Sequence, residues 1–132
     1  MREIEFRGFN RKNKKWLYGF YLQNHGAHFV CPDEFDGKSW DDYEIDPDSL
    51  GEFTGLFDKN KQKIYEGDIA SNGWSELHYI RYEDGKWDVV DEWKNWNELL
   101  EFAHTDYNNA IRGIEVVGNM YDNPEMIHTS QP

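Results

Sequence analysis

At 132 residues the chain has the length of one domain with a real core, domains most often running to roughly 100–150 residues. Its 26 Asp and Glu against 14 Lys and Arg give a formal net charge of −12. That charge repels a phosphate backbone over roughly 8 Å at physiological salt, which argues against direct nucleic-acid binding. With no apolar run of about 18 residues, no secretory leader in Met1-Arg2-Glu3-Ile4-Glu5 and Cys31 as its one cysteine, the expectation is a disulfide-free cytoplasmic protein that avoids the membrane.

The core is expected to be aromatic, because six Trp, eight Tyr and eight Phe outnumber all Ile, Leu and Val together. Ile4 and Phe6 alternate with Glu3, Glu5 and Arg7, then a polar turn at residues 10–15 leads into the aromatic run 16–21, which predicts a hairpin. Residues 27–31 predict a further strand stopped by Pro32. Residues 33–48 carry eight acidic residues and one lysine with little periodicity, and read as an exposed, mobile connection.

Residues 50–56 and 63–65 predict a second hairpin around the polar turn 58–62, after which Glu66-Gly67-Asp68 marks a tight reversal before Ile69. Residues 77–82 and 87–89 alternate around Asp84-Gly85, the clearest hairpin signal in the chain. Asn95 with Glu98 three positions on resembles a capping box, and predicts a short helix ending near His104. Residues 114–117 predict a strand terminated by Gly118, and residues 128–132 a disordered tail.

Catalytic chemistry finds little support in these residues. Glu66 and Asp68 could flank a cation, but a turn whose aspartate hydrogen-bonds its own backbone is the simpler reading. The loop from Asp58 fails as a calcium loop, since Lys63 stands where glycine is required and Ile69 where the bidentate glutamate belongs. His25, His28, His78, His104 and His128 are scattered, with no His-Glu-x-x-His pattern or paired cysteines. Cys31 is expected to be a packing residue rather than a nucleophile. No glycine-rich phosphate loop is present, so neither catalytic, cofactor-binding nor metal-binding residues are assigned. Trp74, Trp93 and Trp96 are the candidate partner-binding residues, because tryptophans not consumed by a core are enriched at interfaces; for Trp93 and Trp96, three apart around the start of the predicted helix, core packing is the leading fate and an interface the next.

Three stretches carry a family resemblance: the opening Met1-Arg2-Glu3-Ile4-Glu5-Phe6-Arg7; Phe53-Thr54-Gly55-Leu56 with Asp58-Lys59-Asn60 and Ile64-Tyr65-Glu66-Gly67-Asp68-Ile69; and Glu115-Val116-Val117-Gly118-Asn119-Met120-Tyr121-Asp122-Asn123-Pro124-Glu125. In this order and spacing the chain resembles the YopX family, small soluble proteins of phages and prophages. The resemblance implies a mainly β fold with a short helix, in which an irregular N-terminal β lobe precedes a small SH3-like barrel. It implies no reaction. Within a single YopX-like domain over 1–132, residues 1–49 would form the first lobe and 50–127 the second.

The leading expectation is a phage or prophage accessory protein, non-enzymatic and without a cofactor, that works by binding a protein partner or by homo-oligomerisation. Two alternatives belong to other classes. A metal-assisted hydrolase would use Glu66, Asp68, His78 and neighbouring carboxylates as a convergent cluster. An acidic mimic of DNA would present residues 33–48 as a continuous carboxylate stripe to a host DNA-binding protein.

Overall fold

The computed structural model describes residues 4–33, 39–71, 77–83, 86–91, 96–98 and 114–128, with 82–83, 86–91, 96–98 and 127–128 as backbone alone. The chain divides into two compact units, Met1–Phe53 and Thr54–Pro132. The fold is mainly β. Its strands form two antiparallel sheets of five.

In the first unit, β1 (Phe6–Asn10) and β2 (Lys15–Asn24) form the hairpin that the polar turn predicts, paired from Phe6 opposite Gly19 to Asn10 opposite Lys15. The turn closes with Lys14 at φ 55, a left-handed conformation. β3 (Ala27–Cys31) pairs with the second half of β2, from Phe20 opposite Cys31 to Asn24 opposite Ala27. At the switch between these pairings stands Gly19. A Cβ there would collide with the Cys31 carbonyl, so the two strands can approach only with glycine at this position.

Of the exposed connection expected over 33–48, residues 34–38 lie outside the described residues, and residues 39–48 differ from it. They form a strap of two short 3-10 turns, Trp40–Asp42 and Pro47–Ser49. Between the turns Tyr43 and Ile45 are buried. Ile45 covers the inner face of β1 directly above Gly8, where a Cβ would meet its side chain at 2.5 Å. Glu44 forms a β-bridge with Phe29, while Val30 N donates to Tyr43 O and Ile45 N donates to His28 O. The acidic composition of this stretch hid a period-two pattern, Tyr43 and Ile45 inward with Glu44 outward, that was too short to outweigh the charge. The core beneath the strap consists of Leu17, Val30, Cys31, Tyr43 and Ile45, with Phe6, Leu22, Phe29 and Leu50 against it.

β4 (Gly51–Phe57) starts in the first unit, where Phe6 pairs with Glu52 and Arg7 with Gly51. It ends in the second, beside β5 (Lys63–Tyr65), and completes the sheet order β3-β2-β1-β4-β5. The second sheet has the order β10-β6-β7-β8-β9, with β6 (Asp68–Ser71), β7 (Leu77–Glu83), β8 (Lys86–Asp91), β9 (Trp96–Glu98) and β10 (Glu115–Asn119). The β7–β8 register runs to Glu83 opposite Lys86, the spacing of the two-residue Asp84-Gly85 connection read from the sequence. Ile64, Ala70, Ile80 and Ile114 form the core of this unit, with Leu56 and Val116 packed on it.

Three expectations change here. Residues 96–98, placed at the start of a helix, are instead a strand in which Val90 pairs with Trp96 and Asp88 with Glu98. Local capping chemistry at Asn95 suggested a helix, but β8 supplies a strand partner; the remainder of the expected helix lies outside the described residues. β10 does not stop at Gly118 but runs through it to Asn119, with a bulge between Val116 and Gly118. The barrel implied by the resemblance is not closed among the described residues, whose strand order is that of an open sheet. The one α-helical segment described is a single turn, Glu125–His128.

Candidate functional site

The first unit has apolar residues on both faces of β2, one covered by the strap and the other covered only in part. Alternation sends Leu17 and Tyr21 inward, where Tyr21 packs on Phe6 with ring centroids 5.8 Å apart. It sends Trp16, Tyr18, Phe20 and Leu22 to the outer face, where Phe9 meets Trp16 edge-on at 5.6 Å and Arg7 lies 5.0 Å over the Trp16 ring. Tyr18 is 46% exposed and Phe20 51%. Large aromatics this open on one sheet face form a candidate contact surface.

A groove of about 240 Å³, lined by Leu22, Asn24, Phe29 and Trp40, extends this face. Leu22 and Phe29 are cross-strand partners and so share a face. The Trp40 ring meets Phe29 at 5.5 Å in a T-shaped arrangement, yet Trp40 remains 55% exposed.

A second cavity, about 430 Å³, opens where the β1–β2 turn docks on the strap, and its lining includes Asn10, Arg11, Lys12, Asp41, Glu44 and Asp46. Its polar groups are engaged with one another. The buried Asn10 amide donates to Asp41 O at 3.1 Å and Glu44 O at 2.7 Å, and its carbonyl accepts from Asn13 N at 2.7 Å. Arg11 pairs with Asp46, whose carboxylate also accepts from Asp48 N. Lys12 pairs with Asp41 at 3.0 Å and Asp42 at 2.9 Å. The Asn13 amide and then Lys12 hold the Asp42 carboxyl below its ordinary range, while Asp42 and Asp41 raise the Lys12 ammonium. This cavity is a latch holding the strap.

In the second unit two sequence motifs almost sixty residues apart meet. Asp58, fully buried, accepts from Asn60 N at 2.8 Å and Gln62 N at 2.9 Å on Oδ1. Its Oδ2 accepts from Val116 N at 2.9 Å. Lys59 N donates to Ile114 O, and Met120 N to Gly67 O. Asp68, also buried, accepts from Tyr65 N at 2.7 Å across Gly67, whose φ of 93° closes the turn. Asn119 then accepts from Tyr121 N and Asp122 N, and Asn123 accepts from Asn119 N.

The profile of the YopX protein family matches residues 5–128, nearly the whole length. The chain belongs to the YopX family. It is also similar in fold to a protein described as "Crystal structure of protein EF1440 from Enterococcus faecalis", with 21% identity and a TM-score of 0.57 over 97% of this chain and 100% of that one. No curated protein matches it.

In this YopX chain the motif residues that carry the resemblance hold these two stretches of the second unit together. Asp58, Asp68, Asn119 and Asn123 each satisfy backbone N–H groups, the structural role that the turn reading gave Asp68. Glu66, Asp68 and His78 make no convergent set. Asp68 is buried in its own turn, His78 is buried on β7 opposite Ala70, and no group of three metal-ligating side chains occurs among the described residues.

Of the candidate tryptophans, Trp74 and Trp93 lie outside the described residues, and Trp96 is described only as backbone in β9. The aromatic surface that is described comes instead from Tyr18, Phe20 and Trp40. Its signal was present in the sequence, since the run 16–22 is apolar at both odd and even positions while a strand at a protein surface needs only one apolar face.

Proposed function

We propose that this YopX-family protein is a phage or prophage accessory factor that acts in the bacterial cytoplasm as a non-enzymatic protein-interaction or oligomerisation module. The observation that carries this reading is the outer face of β2, where Tyr18 and Phe20 stand about half exposed beside the Trp40 groove. Exposed aromatics in a chain otherwise rich in charge are the residue types that anchor interfaces. The hydrolase alternative asks for carboxylates free to bind a cation, whereas Asp58 and Asp68 are bound to backbone. The DNA-mimic alternative asks for a continuous acidic stripe, whereas Asp41, Asp42 and Asp46 are matched by Lys12 and Arg11. No helix among the described residues is long and apolar enough to cross a membrane.

The test is affinity capture of the tagged protein from nuclease-treated host lysate, run beside native mass spectrometry of the purified chain. The expected result is a stoichiometric protein partner or a defined homo-oligomer, lost in the Tyr18→Ser, Phe20→Ser double variant. A monomer that captures nothing would overturn the proposal.

A further inference from the structure

We draw no further inference here: the strongest candidate, the outer face of β2 where Tyr18 and Phe20 stand beside the groove at Trp40, is an apolar surface, and nothing in the structure shows what covers it.

Discussion

Asp58 has no exposed surface, and a carboxylate removed from water must be matched by donors or its burial is strongly unfavourable. Three backbone N–H groups match it, two in its own turn and one from β10, so a single side chain ties local geometry to a contact 58 residues away. Asp58→Asn keeps the size of the side chain but turns one oxygen into a donor facing a donor. Its unfolding free energy in urea should fall by about 2–4 kcal/mol, whereas Asn60→Ala, at an exposed position, should change it by about 0.5 kcal/mol or less. A loss of similar size in both variants would mean that the buried carboxylate does not organise the turn. Cys31 offers a second residue-scale check. It is 2% exposed, and burial pushes its thiol up. Its reaction with a disulfide reagent should therefore be slow in the native protein and accelerate in step with urea unfolding.

The strap is the element that sequence reasoning misjudged, and the reason is physical. Eight acidic residues in sixteen positions are the composition of a solvated loop, and nothing local reveals that Arg11, Lys12 and Asn13 will lie opposite them. The hairpins were legible because turn chemistry and period-two alternation are local, and so they placed β1 to β5 and the β7–β8 register correctly. The helix expected after Asn95 failed at 96–98 because strand pairing is not local. The outer aromatic face is legible in principle at 16–22, where apolar residues occupy both odd and even positions of one strand. The latch makes a prediction of its own. Asp42 has a lowered pKa, so its contribution is present above the ordinary aspartate pKa and lost as pH falls through the lowered one. Lys12 has a raised pKa, so its contribution is full below the ordinary lysine pKa and lost as pH rises through the raised one. The difference in urea midpoint between wild type and Lys12→Met should therefore hold from about pH 5 to about pH 9 and shrink as pH falls below the ordinary aspartate range through the lowered Asp42 pKa. A difference that persisted at acid pH would assign the role of Lys12 to its methylenes rather than its charge.

Over the whole molecule, a net charge of −12 works against compaction, while the matched pairs of the latch work for it. Exposed pairs contribute little, so self-repulsion should dominate the response to salt. Raising ionic strength from about 0.01 M to about 0.1 M shortens the screening length from about 30 Å to about 10 Å, and should raise the urea midpoint. A fall would show that the latch outweighs the repulsion. The strap and the Asp58 turn share a further property, in that each closes the outer strand of a sheet: residues 43–45 bond to β3, while Asp58 and Lys59 bond to the stretch 114–116. They differ in the order in which a ribosome makes them. The cover for β3 is synthesised 14 residues after that strand ends, and at about 5–20 residues per second the nascent edge stands open for roughly one to three seconds. The cover for β10 is made long before β10 exists, so that strand emerges to a partner already waiting. Any pairing between nascent chains on one messenger should therefore begin at β3, and slow codons between positions 31 and 45 would lengthen the exposure.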